Sequence, residues 1–124
     1  MTIRNLDKIF RPRSVAVIGA SDEAGKVGYT VLRNLLTSGF HGAVYPINRQ
    51  HDQVQGLKAY ASVRLLGHPV DLAIICTPAA TIPDLVQDCG ESGVLGLIIL
   101  SAGFREAGAD GQQLEAHLKE VWSR

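Results

Sequence analysis

Three segments of this sequence are almost continuously apolar and rich in valine, isoleucine and leucine, and each ends in small or turn-forming residues. They are SVAVIGA at 14–20, VDLAIICTPA at 70–79 and LGLIILSAG at 95–103. A strand with one face in water alternates apolar and polar residues, whereas a parallel strand covered on both faces does not. The pattern therefore predicts a buried parallel sheet.

Two further segments are weaker strand candidates. AVYPIN at 43–48 is one, although Pro46 has no N–H to donate to a sheet ladder. KAYAS at 58–62 is a short fifth candidate.

Helical patterns separate the strands. Gly39 and Gly93 follow the first two as stop signals, and Pro83 suits the first turn of the second. This alternation predicts an α/β fold, a Rossmann-like doubly wound parallel sheet of about five strands in the order 3-2-1-4-5 with helices on both faces. The apolar residues at helical spacing are Val27, Val31, Leu32, Leu35 and Leu36, then Ile82, Leu85, Val86 and Cys89, and then Leu114, Leu118 and Val121.

The composition limits the possible partners. Lysine plus arginine number 12, as do aspartate plus glutamate, so no overall field draws the chain to nucleic acid or to a membrane surface. The first apolar run stops at Gly19, too soon for a signal peptide, and no segment has the roughly 20 apolar residues that cross a bilayer. Cys76 and Cys89 lack metal-ligand spacing and fit reduced core positions. We therefore expect a cytoplasmic protein.

The length of 124 residues predicts one domain over residues 1–124. The pattern stops after a helix, although a doubly wound nucleotide-binding unit usually has a sixth strand. We therefore expect a part of a longer multidomain protein. The outer edge of the fifth strand would then meet a further domain or a second copy in a homodimer.

The turn after the first strand carries three glycines and a lysine. Gly19 can turn the chain out of the strand, Gly25 can let backbone approach a ligand, and Gly28 can let the helix pack closely on the sheet. The helix would begin near Lys26 or Val27, where its unpaired N–H groups, its dipole and the ammonium favour an anion. The spacing matches neither GxGxxG nor a Walker loop, so an ordinary strand–helix turn is the alternative. The position at the carboxyl edge of the sheet favours a phosphate site.

The end of the second strand narrows the choice of ligand. An NAD-binding unit normally has Asp or Glu there to hold the ribose hydroxyls. This chain has Asn48 and Arg49 instead, which suits a phosphate on the ribose, as in NADP or coenzyme A. A surface arginine is the alternative. Asp22 and Glu23 would repel phosphate, so we expect them to point to solvent.

Small residues also end the fourth and fifth strands, at Thr77-Pro78-Ala79 and Ser101-Ala102-Gly103. They leave room and backbone donors for an elongated ligand, although ordinary turns have the same composition. The histidines are scattered, and no nucleophile motif or acid/base pair can be assigned. We therefore expect the domain itself to bind and not to catalyse.

Several segments together carry a family resemblance. Over nearly the whole chain the sequence resembles the N-terminal coenzyme A-binding domain of the ADP-forming acyl-CoA synthetases. That domain also opens a group of bacterial protein lysine acetyltransferases and is similar to the start of the succinyl-CoA synthetase α subunit. The segments are LDKIFRPRSVAVIGAS, GKVGYTVLRNLL, GAVYPIN, VDLAIICTPA and IILSAGFREAGADG.

The resemblance implies a domain that binds coenzyme A or acyl-CoA within a parent acid–CoA ligase (ADP-forming) or protein acetyltransferase. The ligases work through an acyl phosphate and a phosphohistidine, and that histidine belongs to another domain. The residues that the turn and the resemblance assign to the cofactor are Gly19, Ser21, Gly25, Lys26, Val27, Gly28, Asn48, Arg49, Thr77, Pro78, Ala79, Ser101, Ala102 and Gly103.

Two positions depart from the family. Arg49 stands where relatives usually have proline followed by a basic residue, which affects the contact to the ribose 3′-phosphate. Ala24 stands where some relatives have a hydroxyl residue, which removes one donor to phosphate. Two other functions stay open, an NADP-dependent oxidoreductase or redox sensor and an interaction domain without a ligand site.

Overall fold

The computed structural model describes residues 12–100 of the chain. They form a parallel sheet with a helix against each face and a small hairpin beside it. The elements are β1 Ser14–Ile18, α1 Val27–Thr37, β2 Ala43–Ile47, β3 Gln53–Val54, β4 Leu57–Lys58, a 3-10 helix at Val63–Leu66, β5 Leu72–Ile75, a 3-10 helix at Ala79–Thr81, α2 Ile82–Glu91 and β6 Gly96–Ile99.

The four strands of the main sheet lie in the order β2-β1-β5-β6, and every pair is parallel. The central strand β1 has Val15 opposite Val44 of β2 on one side and opposite Leu72 of β5 on the other. The chain winds outward from β1 in one direction and then returns to wind in the other. The predicted doubly wound α/β fold is confirmed, and its strand order reverses between β1 and β5.

The segment predicted as a third strand, residues 58–62, is not a full strand of this sheet. Lys58 belongs to the antiparallel β3–β4 hairpin, and Tyr60 forms a single bridge to Ile47 at the outer edge of β2. The Tyr60 N–H donates to the Pro46 carbonyl oxygen at 3.0 Å. The backbone of Pro46 thus faces away from β1, so its missing N–H removes no bond to that strand.

Alternate residues of β1 enter two hydrophobic cores, one on each face of the sheet. Val15 and Val17 pack in the core that contains Leu32 of α1, whereas Ala16 and Ile18 pack in the core that contains α2. The four strand residues are at most 3% exposed. Because both faces are covered, the strands need no polar face, which explains their continuous apolar character.

The predicted helix limits agree with the structure. The first helix begins at Val27, Pro83 lies in the first turn of α2, and Gly39 and Gly93 follow the helices with φ of 85° and 81°. Among residues 12–100, no helix is long and apolar enough to span a membrane. The helix predicted around Leu114 and the end of the 95–103 segment lie outside the described residues.

Candidate functional site

A cleft of about 460 Å³ lies at the carboxyl ends of β1, β2 and β5. This is the edge at which ligands bind in open parallel sheets, beside the point where the strand order reverses. The cleft brings together the following residues that were predicted from the sequence: Gly19, Ser21, Lys26, Asn48, Arg49, Thr77 and Pro78.

The three glycines of the first turn are required for different physical reasons. Gly19 has a φ of 89°, and a Cβ there would lie 2.9 Å from the Thr77 side chain. Gly28 is buried, and a Cβ there would overlap the carbonyl oxygen of Gly19. Gly25 has a φ of 96°, but a Cβ there would meet nothing within 4 Å. Gly25, Val27 and Gly28 do not line the cleft, and the two glycines instead shape the turn beside it.

The start of α1 offers donors to an anion. Lys26 is the N-cap residue, with extended backbone (φ −88°, ψ 147°), and no side chain caps the helix. The N–H groups of the first helical turn have no intrahelical acceptor, and they carry the positive end of the helix dipole. The Lys26 side chain is 61% exposed and lines the cleft. The ammonium thus lies at the rim of the cleft, and the unpaired backbone donors begin at the next residue along the chain.

Asn48 joins the turns that follow β1 and β2. Its Nδ2 donates to the carbonyl oxygen of Ala20 at 2.9 Å. Its Oδ1 accepts the backbone N–H of Gln50 at 2.7 Å and that of His51 at 2.9 Å. Both lone pairs of this oxygen are therefore used within the protein. Asn48 lines the cleft, but these hydrogen bonds make it a residue that positions the two turns.

Two carboxylates of the glycine turn, residues 19–28, border the cleft. Asp22 and Glu23 are both exposed, as expected, yet both line the cleft. Asp22 Oδ1 accepts the backbone N–H of Gln55 at 2.6 Å. Glu23 Oε2 lies 3.4 Å from Lys26 Nζ, so the lysine that faces the cleft already has a carboxylate beside it.

A third carboxylate, Asp88 of α2, also borders the cleft. Its Oδ1 lies 2.8 Å from Nε of Arg64, whose Nη2 also contacts Glu91. The hydrogen bond to Asp88, followed by that to Glu91, raises the pKa of Arg64 above its ordinary value. The charge of Asp88 is therefore opposed by a permanent cation.

Several lining residues were not predicted from the sequence. Gln50 and His51 follow Asn48, and an asparagine directly after a strand is a known signal for such a turn. Val63 had been assigned to no element and Leu85 only to a helix pattern. The lining residues that the structure adds include Gln50, His51, Ser62, Val63, Thr81 and Leu85.

Besides Gly25, Val27 and Gly28, four further predicted residues either do not line the cleft or lie outside the described part of the chain. Ala79 begins a 3-10 helix, packs against the α2-side core and does not line the cleft. Ser101, Ala102 and Gly103 lie outside residues 12–100.

The two cysteines are free thiols in apolar surroundings. Burial raises the pKa of Cys76, at the end of β5, to about 11. Burial, and secondarily the charge of Asp88, raises the pKa of Cys89 to about 12. Both thiols are therefore protonated at neutral pH and poor nucleophiles. Within the described residues, no group of three or more His, Cys, Asp or Glu side chains could hold a metal ion.

Residues 13–120 match the family model described as CoA binding domain, so the chain belongs to this family of coenzyme A-binding domains. The fold and the family resemblance inferred from the sequence are confirmed.

The relatives are much longer than this chain. It is 44% identical over 119 residues to acetate–CoA ligase (ADP-forming) I of Archaeoglobus fulgidus, covering 96% of this chain and 17% of that protein. It is 46% identical over 116 residues to the α subunit of acetate–CoA ligase (ADP-forming) II of Pyrococcus furiosus, covering 94% of this chain and 25% of that subunit. The chain spans a quarter or less of the length of these two curated relatives.

A solved structure that is similar to this chain is also much longer than it. The apo form of dinucleotide-forming acetyl-coenzyme A synthetase 1 of Ca. Korarchaeum cryptofilum superposes with a TM-score of 0.88 at 39% identity. The match covers 96% of this chain and 26% of that chain. The description of the family names coenzyme A as the ligand of such domains.

Proposed function

We propose that the cleft binds coenzyme A with its diphosphate at the start of α1. The observation that carries this proposal is that Lys26, the N-cap residue of a helix without a side-chain cap, lines the same cleft as Arg49. Lys26 and the first N–H groups of α1 bind the diphosphate, and Arg49 binds the 3′-phosphate of the ribose. His51, two residues after Arg49, also lines the cleft and adds an imidazole N–H donor.

The uncharged parts of the cofactor occupy the other side of the cleft. Val63, Pro78 and Leu85 present apolar surface there, and Thr77 and Thr81 present hydroxyl groups. A cleft that combines Lys26 and Arg49 with an apolar wall suits a ligand with phosphates at one end and an uncharged arm or base at the other. Ser101, Ala102 and Gly103 stay predicted contacts of this ligand.

The full-length protein is, by this proposal, an ADP-forming acid–CoA ligase in the cytoplasm. The support is the identity of the relatives, which are ligases or ligase subunits of which this chain covers one part. The domain described here supplies the cofactor site, and further domains supply the catalytic residues. The acetyltransferase parent, which was equally open from the sequence, has no such support among these relatives.

The edge of β6 is a second contact surface in this proposal. Within the described residues β6 pairs only with β5, and an edge strand is a template for pairing with another polypeptide. A further domain or a second copy of the chain would cover it. Light scattering over a range of concentrations tests the homodimer, which a monomer at the highest concentration contradicts.

The test of the cofactor site is calorimetric titration of the chain with coenzyme A, acetyl-CoA and NADPH, each with a parallel thermal-shift measurement. A ligand that binds only the folded state raises the melting temperature by mass action. We expect binding of coenzyme A and acetyl-CoA and none of NADPH. Binding of NADPH alone would favour the oxidoreductase, and no binding of any ligand would contradict a working site in this domain.

A further inference from the structure

One residue of the β3–β4 hairpin has a backbone conformation that its type disfavours. The turn consists of Gln55 and Gly56, with φ of 50° and 80°. Such two-residue turns with positive φ prefer asparagine, aspartate or glycine at the first position. Among residues 12–100, Gln55 is the one non-glycine residue with a positive φ. Interactions elsewhere must offset this local cost.

Three hydrogen bonds join Gln55 to the glycine turn. Its backbone N–H donates to Asp22 Oδ1 at 2.6 Å. Its side-chain Nε2 donates to the carbonyl oxygen of Ser21 at 3.1 Å and to that of Tyr29 at 3.2 Å. Ser21 and Asp22 precede Lys26, whereas Tyr29 lies in the first turn of α1. One residue therefore ties the two ends of the turn that carries the ammonium and the helix N-terminus.

The hairpin itself is firmly held. A two-stranded ribbon is marginal in isolation, but Val54 is fully buried in the same core as Leu32 of α1. The Oε1 atom of Gln55 is buried and receives no hydrogen bond from the described part of the chain. A buried amide oxygen without a hydrogen bond lowers the stability of the folded state. The favourable contribution of this side chain therefore comes from the two hydrogen bonds that its Nε2 donates.

We propose that Gln55 is a positioning residue for the diphosphate of coenzyme A. It fixes the carbonyl groups of Ser21 and Tyr29, and it thereby holds Lys26 and the first N–H groups of α1 in place before the ligand arrives. A site ordered in advance binds more tightly because the ligand does not have to order it. This inference rests on the proposed function, since it requires a phosphate group at this turn.

Two substitutions separate the turn conformation from the hydrogen bonds. Gln55→Asn suits a positive φ better but is one methylene too short to reach both carbonyl groups. Gln55→Met keeps the length and has no donor. Gln53→Met is the matched control, because Gln53 lies on the same hairpin with an exposed side chain. We expect coenzyme A to bind about tenfold more weakly to both Gln55 variants and equally well to the control, with the melting temperature of Gln55→Asn unchanged or higher.

The second readout uses the protein without ligand. Amide hydrogen exchange and ¹⁵N relaxation of residues 22–28 report the order of the turn, which we expect to fall in Gln55→Asn and to stay the same in Gln53→Met. Unchanged order of the turn, or unchanged affinity in both Gln55 variants, overturns the proposal. If the wild-type chain fails to bind coenzyme A, the proposed function is wrong, and the exchange data still decide whether Gln55 holds the turn.

Discussion

Gly28 of α1 packs directly on the carbonyl group of Gly19, with no room for a Cβ between the helix and the end of β1. The contact joins the first turn of the helix to the strand that ends at the cleft. It therefore sets how close the helix N-terminus lies to the ligand site.

Gly28→Ala is expected to destabilise the domain by about 1–3 kcal/mol, because the added methyl group must displace backbone atoms. Urea denaturation measures the change. Gly90→Ala in α2 is the control, since a Cβ there meets nothing within 4 Å and alanine favours a helix by up to about 1 kcal/mol. A Gly28→Ala variant as stable as the wild type would show that the helix can move away without cost.

Lys26→Ala is expected to weaken the binding of coenzyme A roughly tenfold or more, the effect of losing a charge-assisted contact. Arg33→Ala removes the same charge from an exposed position further along α1 and outside the cleft. Calorimetry should show a loss in the first variant and almost none in the second. Equal affinities in the two variants would mean that only the overall charge matters.

Glu23→Gln is expected to strengthen coenzyme A binding roughly two- to fivefold. The carboxylate lies 3.4 Å from the Lys26 ammonium, so it competes with the diphosphate for that cation and repels the ligand. The gain should shrink as salt is added, because both effects act between exposed charges. A gain that persists at 1 M salt would point to a change in the shape of the turn.

The stability of the domain is expected to fall as the pH rises through the alkaline range. The folded-state pKa values of Cys76 and Cys89, about 11 and about 12, lie above the ordinary thiol value of 9.0. Between these values the unfolded chain loses thiol protons that the folded chain keeps, so unfolding becomes more favourable as the pH rises. Urea denaturation between pH 8 and about 11 measures the slope.

The double variant Cys76→Ala, Cys89→Ala is the comparison for this slope. Its stability should depend less steeply on pH over the same interval, whatever its stability at neutral pH. Identical slopes would assign the alkaline loss to other groups.

The strand order and the place of the cleft could be predicted from the sequence because they follow from strong local patterns. Buried parallel strands need continuous apolar runs, and a glycine at the end of the first one, Gly19, is required by its positive φ. The partner of each polar side chain could not be predicted in this way. The hydrogen bond from Asn48 to Ala20 spans 28 residues and exists only once two turns have been brought together.

The hairpin was missed for a related reason. Residues 53–58 contain no regular alternation, and the segment is held by the burial of Val54 and by the contacts of Gln55 to the glycine turn. These are tertiary interactions that override a weak local preference. Of the segment predicted as a third strand, only Tyr60 pairs with the main sheet, through a single bridge to Ile47.

Gly25 and Gly28 exclude other residue types for different reasons. Space is free around Gly25, and only its φ of 96° excludes a side chain. That exclusion comes from the handedness of the amino acids themselves. A crowded position can sometimes be rescued when a neighbour becomes smaller, but no neighbour causes the exclusion at Gly25. A substitution at this position therefore stays strained, whatever its neighbours become, unless the turn itself is rebuilt.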